Sequence, residues 1–185
     1  MIRGISICAS VVLLSIWMVG CGQPAEQPPA ETEQPAEPAA SGGTVDLQPT
    51  EGNTAAGTLA LMTMGEGVHF TGTVTGLPAG SHGFHIHETG DCSAPDGTSA
   101  GGHFNPSGAP HGGPDSAERH LGDLGNITAD DGGNAEVNIH AGGVTLGEGD
   151  NSIMGRAIIV HAGEDDMTTQ PTGDAGARLA CGVIQ

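Results

Sequence analysis

Apolar side chains along this chain change their period near residue 44. Before that point, Ile5 to Val19 forms one apolar run behind a single early charge, Arg3. The run is shorter than the roughly 20 residues a spanning helix needs. A basic start followed by such a stretch has the layout of an export signal, which assigns residues 1–20 to a signal peptide. From Thr44 onward, apolar and polar positions alternate as they do on a strand with one buried face. Val45 and Leu47, Leu59 and Leu61, and then Val68, Phe70, Gly72 and Val74 keep this period. Phe84–His87, Ala135–His140, Ile153–His161 and Leu179–Ile184 are further strand-like runs. Turn signals such as Leu77-Pro78-Ala79-Gly80 and Asp130-Asp131-Gly132-Gly133 separate them. Roughly six to eight short strands with Gly-rich turns predict an all-β antiparallel sandwich or barrel over 44–185.

Two segments fall outside that rhythm. Residues 21–43 consist mainly of Pro, Glu, Gln and Ala, which cannot build a core, so they read as a disordered tether, partly polyproline II. From Glu88 to Asp123 the chain is dense in Gly, Pro and His with no strand pattern. A loop of that length inside a compact domain needs something to pin it, and a metal or a disulfide would serve.

Composition removes some partners. The 185 residues include 33 Gly, no Tyr and 22 acidic residues against four basic ones, for a formal net charge of −18. Nucleic acid is excluded as a partner, because phosphate recognition needs Lys and Arg. An anionic membrane surface is excluded as a charge-driven partner for the same reason.

Each of the four cysteines has a distinct place. Cys8 falls in the export signal. Met18-Val19-Gly20-Cys21 resembles a bacterial lipobox, in which the cysteine is lipidated and becomes the mature N-terminus. Lipid on Cys21 would anchor the protein to a membrane outside the cytoplasm, in the periplasm or on the outer membrane of a Gram-negative cell. Plain secretion or a retained anchor is the alternative. Cys92 and Cys181 remain, and an even remainder in an exported protein reads as a disulfide, with two buried thiols as the alternative.

Nine histidines in so acidic a chain point to chemistry. His85 and His87 stand at i and i+2 of a strand, so both rings share a face and can reach one metal. The long loop adds His103, His111, His120 and Asp123, and His161 ends the apolar run Ala157–Val160. Imidazole suits Zn, Cu, Fe and Ni. Three imidazoles with one carboxylate form a closed zinc pattern, and an all-imidazole set suits Cu(II). Spacing leaves open how the ligands divide between two ions. Alternation places His69 and His140 on the solvent side.

Five motifs carry a resemblance. Gly83-Phe84-His85-Ile86-His87-Glu88, Gly102-His103-Phe104-Asn105-Pro106, His111-Gly112-Gly113-Pro114, Arg119-His120-Leu121-Gly122-Asp123-Leu124-Gly125-Asn126 and Arg178-Leu179-Ala180-Cys181-Gly182-Val183-Ile184 together resemble the copper–zinc superoxide dismutase family, in its order and at compatible spacings across 44–185. The resemblance implies an eight-stranded flattened Greek-key β-barrel, immunoglobulin-like in its sandwich form, with long metal-binding loops. It implies one copper per subunit on His85, His87, His103 and His161, and one zinc on His103, His111, His120 and Asp123, with His103 bridging the two. Asp165 matches the carboxylate that links ligand histidines of the two sites, and His82 a structural histidine beside the metal strand. Cys92 and Cys181 match the intrasubunit disulfide. Arg178 matches the cation that receives superoxide, and Thr172 the residue opposite it in the channel. The implied activity is dismutation of superoxide to dioxygen and hydrogen peroxide, in the cell envelope, by a monomer or homodimer.

One feature runs against an anionic substrate. Residues 44–185 hold three Arg against 18 acidic residues. Repulsion from the whole protein should slow capture unless a locally positive channel focuses the anion. A barrel that stores or delivers copper or zinc without turnover is the alternative function. The complete ligand set together with Arg178 favours the enzyme.

Overall fold

The computed structural model describes residues 42–185. The expected signal peptide, Cys21 and the tether as far as residue 41 lie outside the described residues. Eight strands account for the regular structure: β1 Gly42–Pro49, β2 Ala56–Met64, β3 Gly67–Thr75, β4 Gly80–His87, β5 Asp123–Ala129, β6 Ala135–Gly142, β7 Ala157–His161 and β8 Arg178–Val183. A single 3-10 turn, Thr98–Ala100, interrupts the loop after β4. The strands close into one antiparallel barrel in the order β1-β2-β3-β6-β5-β4-β7-β8. β4 crosses to pair with β5 and β7 rather than with β3, and that crossover gives the Greek key.

The alternating side chains fill the barrel. Val45, Leu47, Leu59, Leu61, Val68, Phe70, Val74, Phe84, Ile86, Ile158 and Val160 form one continuous core. Phe70 and Phe84 meet edge to face across it, with ring centroids 6.5 Å apart. Strands β1 and β2 expose every second residue. β4 and β7 instead stay buried on both faces from His82 to His87 and from Ala157 to His161, because the loops 88–122 and 162–177 cover their outer side.

Several strands differ from the sequence pattern: β4 begins at Gly80 rather than Phe84, β6 runs on to Gly142, and β8 covers Arg178–Val183. β1 begins at Gly42, two residues before the alternation at Thr44 becomes visible. The run Ile153–His161 is a strand only from Ala157. Ile153 is fully buried but belongs to a turn closed by Arg156 N–H donating to its carbonyl. β5 carries no period-2 signal, because Gly125 takes φ 79° and the β4–β5 register shifts between Gly83 and His85. The apolar residues Leu124, Ile127 and Ala129 are therefore unevenly spaced although all three are buried.

Cys92, early in the long loop, is bonded to Cys181 in β8, with Cα atoms 5.8 Å apart. Both sulfurs pack with Ala100, Ala157 and Ile159 in a small apolar cluster outside the barrel. The bridge spans 89 residues. In the chain-entropy account such a closure contributes roughly 4–5 kcal/mol. Replacing both cysteines by Ser should lower unfolding free energy by about that amount in a denaturant titration. A loss under about 1 kcal/mol would show that other contacts already hold the loop.

Candidate metal centre

The site grows from the outer face of β4. Phe84 and Ile86 point into the core, so His85 and His87 point outward beneath the two loops. The long loop is stitched to the same strand through Ile86. Phe104 N–H donates to the Ile86 carbonyl at 2.8 Å, Ile86 N–H donates to Gly122 at 3.0 Å, and Gly122 N–H donates back to Phe104 at 2.9 Å. A Cβ on Gly122 would lie 2.2 Å from the Ile86 oxygen, so only glycine allows this approach. The clamp sets His103 beside His87 and Asp123 beside His85. β7 pairs with β4 along its length and delivers His161 after a register shift at Val160.

Two ligand groups result. The ligand atoms of His85, His87, His103 and His161 lie within 4.8 Å of one another, as do those of His103, His111, His120 and Asp123, and all are buried. His103 belongs to both. In the second group three Nδ1 atoms surround one carboxylate oxygen: Asp123 Oδ1 lies 2.8 Å from His103, 3.1 Å from His111 and 3.1 Å from His120. Asp165 links the groups from behind, accepting from His85 Nε2 at 2.7 Å and from His111 Nε2 at 2.9 Å.

The unused nitrogens test whether a metal fits. With Nε2 of His85 and His111 donating to Asp165, each Nδ1 is left as a lone pair. Both are buried with no hydrogen-bond partner, as is His103 Nε2. His87 Nδ1 donates to the Gly101 carbonyl at 2.9 Å and His161 Nδ1 to the Gly176 carbonyl at 3.1 Å. Their Nε2 lone pairs then face each other at 3.3 Å, which repels unless a cation lies between them. The donor set therefore fits two metal ions, one among four imidazoles and one among three imidazoles and a carboxylate.

All seven candidate ligands and Asp165 meet here, and His82 lies beneath them. The His82 ring is buried, with one nitrogen 2.8 Å from the His161 carbonyl and the other 2.8 Å from that of Pro78. Arg178 is half-buried and donates to the carbonyls of Gly97 at 2.5 Å and Gly101 at 2.6 Å, and its charge has no carboxylate contact among the described residues. Thr172 is half-buried beside Gly173. Gly173 takes φ 68°, and a Cβ there would meet Asp165 Oδ1 and the His111 ring. The sequence reading missed two positioning residues. Asn126 holds the Asp165 backbone from both sides, donating to its carbonyl at 2.9 Å and accepting from its N–H at 2.8 Å. Gln170 does the same for His111, at 2.8 and 2.9 Å. Asn126 stands in the motif that ends the long loop, but nothing local marks its role or that of Gln170, because each acts on a segment distant in sequence.

Comparison with known proteins agrees with this geometry. Residues 43–184 match the copper/zinc superoxide dismutase (SODC) family. Superoxide dismutase Cu-Zn 4 of Dictyostelium discoideum is 50% identical over 127 residues, which cover 65% of this chain and 82% of that protein. Among solved structures, the clock protein EA4 superposes with a TM-score of 0.71 at 37% identity, covering 80% of this chain and 96% of that one.

The electrostatics of the site favour ligands without protons. Burial lowers His85 to about 4, only partly offset by its bond to Asp165, and lowers His161 to about 3. Burial also lowers His87 and His120. It would raise Asp123, but hydrogen bonds from His103, Gly112 N–H and His120 N–H outweigh it and hold the carboxyl at about 2. Asp165 is likewise lowered, with burial outweighed by its bonds from His85, Met167 N–H and His111. An unfolded imidazole titrates near about 6.5, so the unfolded chain gains protons first as pH falls, and stability drops below that value. The two carboxylates stabilise the fold above about 3.9 and lose that contribution as pH falls through their folded values. Both effects have the same sign. The melting temperature of the metal-free protein should fall steadily from about pH 7 to about pH 4. A flat profile over that range would show that the buried histidines titrate as they do in water.

Proposed function

The chain belongs to the copper/zinc superoxide dismutase family and dismutes superoxide with copper and zinc, and we propose that its centre works through the residues described above, outside the cytoplasm, on a lipid anchor. In this reading His85, His87, His103 and His161 hold copper, and His103, His111, His120 and Asp123 hold zinc. The observation that carries it is His103, whose ring is shared by both groups. Copper, when bound, supplies the one-electron couple that dismutation needs, and zinc fixes the loop and the shared ring.

The chain's own groups supply the rest. Two superoxide ions and two protons give one dioxygen and one hydrogen peroxide. Arg178, fixed by the Gly97 and Gly101 carbonyls, attracts and orients the anion, with Thr172 proposed across the channel. His103 Nε2, buried with no other partner, is the atom that takes up a proton and releases it to the departing peroxide. Nδ1 of the same ring lies 2.8 Å from Asp123 Oδ1, inside the group that would hold zinc, so the ring would stay anchored there while Nε2 handles the proton. Asp165 keeps His85 and His111 aimed at their ions.

Protection of the cell envelope is the proposed role. Its support is the apolar run before Cys21, the Met18-Val19-Gly20-Cys21 motif and a disulfide of the kind that persists in oxidising compartments. No helix among the described residues is long and apolar enough to cross a membrane. The Met18-Val19-Gly20-Cys21 motif makes a lipid on Cys21 the attachment proposed.

Two experiments test these statements. His161→Ala should lose copper and turnover while keeping zinc, whereas Asp123→Ala should lose zinc first. Metal analysis alongside superoxide decay reads both, and normal dismutation by the His161 variant would overturn the copper assignment. For the anchor, wild-type protein expressed in a bacterial host should fractionate with membranes and incorporate labelled palmitate. Cys21→Ser should release it, and a wild-type protein that stays soluble and unlabelled would overturn the anchor.

A further inference from the structure

The wall of the barrel opposite β4 and β7 carries a second group of metal-ligating side chains. Strands β2, β3 and β6 lie side by side there, and their register aligns Met62 with His69 and His69 with His140 in one row. Directly paired residues of an antiparallel ladder project from the same face, with Cβ atoms about 5 Å apart. That face is the outer one, because Leu61, Val68, Phe70 and Ala141 on either side of the row are core residues. Met64 is two residues along from Met62 on the same face, and it pairs with Gly67.

Three observations tie these side chains together. The His69 and His140 rings stack with centroids 6.4 Å apart, close to the 6.5 Å between His85 and His87 in the buried centre. The His140 ring lies over Gly67, where an added Cβ would meet its Cε1 at 2.9 Å, so it leans toward the Met64 row. His69 Nδ1 is buried with no hydrogen-bond partner although the ring is on the outer face. Met62 and Met64 are 53% and 52% exposed, two large apolar side chains adjacent on the surface of an otherwise acidic chain.

We propose that Met62, Met64, His69 and His140 form a surface site for one Cu(I) ion. Thioether sulfur is a soft, neutral ligand that selects Cu(I), and imidazole completes a low-coordinate set. Zinc and Cu(II) are poorly served, because the group offers no carboxylate or thiolate and only two nitrogens. The site shares no residue with the buried centre and lies across the barrel from it. It gives the chain a place to hold reduced copper at the surface.

The test uses the full chain loaded with copper and zinc, with Cys8 and Cys21 replaced by Ser so that no thiol competes. Cu(I) is titrated anaerobically against bicinchoninate. The holoprotein should take up one further equivalent, and X-ray absorption of that added copper should show sulfur neighbours, which the buried centre cannot supply. Met62→Leu with Met64→Leu should abolish the sulfur signal. That pair and His140→Gln should each weaken uptake by at least about 10-fold, the loss that follows even from disturbing a ligand's partner. Replacing Met154, another exposed methionine among the described residues and away from both sites, should change nothing. Superoxide decay should be the same in all these variants, so failure here is separate from failure of the buried centre. No further equivalent, added copper without sulfur neighbours, or uptake that survives loss of Met62 and Met64 would overturn the site.

Discussion

Two carboxylates with no access to solvent, Asp123 and Asp165, set the terms for the rest of this protein. A buried charge is strongly unfavourable unless it is paired and hydrogen-bonded. Here the partners are imidazoles, each able to give one proton to a carboxylate and present one lone pair elsewhere. Asp165 takes the Nε2 protons of His85 and His111 and so turns both Nδ1 atoms toward the ion sites. Asp123 collects three Nδ1 atoms around one oxygen. The arrangement has more lone pairs than protons, and cations complete it. The metals are thus part of the packing of the loops as well as of the chemistry.

The barrel and the disulfide make that arrangement repeatable. β4 is fixed on both edges by β5 and β7, so the backbone under His85 and His87 cannot slip by one residue without turning Phe84 and Ile86 out of the core. The Cys92–Cys181 bridge holds the start of the long loop against β8. One consequence reaches the substrate side. The Gly101 carbonyl accepts from both His87 Nδ1 and Arg178, so a single backbone group orients a proposed copper ligand and the cation proposed to meet the anion. Loosening the loop would disturb both together.

Much of this was legible in the sequence, for reasons that also explain the gaps. Strands with one wet face alternate, and β1, β2, β3 and β6 were visible that way. The His85–His87 pair was visible because strand geometry puts i and i+2 on one face. β5 was hidden because Gly125, its third residue, takes φ 79° and breaks the period. Ile153 looked like strand because burial, rather than extension, is what an apolar run reports. Asn126 and Gln170 were missed because their work is on Asp165 and His111, each dozens of residues away in the chain. The same limit applied to the surface group on β2, β3 and β6. His69 and His140 read singly as solvent-facing, and only the register sets them beside each other and Met62.

The acidic surface then becomes a question of distance rather than of count. At physiological ionic strength charges more than about 8 Å from the anion's path are largely screened. With the proposed centre on β4 and β7, the carboxylates on the β3–β6 side of the barrel therefore matter little to a superoxide ion approaching it. What matters is the near field around Arg178. Its guanidinium is held by two carbonyl oxygens, which position it without cancelling its charge. Asp96 is the nearby acid that acts on it most, and it lies in the same loop whose Gly97 and Gly101 carbonyls hold the arginine. The loop that fixes the proposed docking cation thus also carries its chief local opponent. In the proposed reading the balance between these two charges, more than the net −18, sets how strongly the site draws an anion.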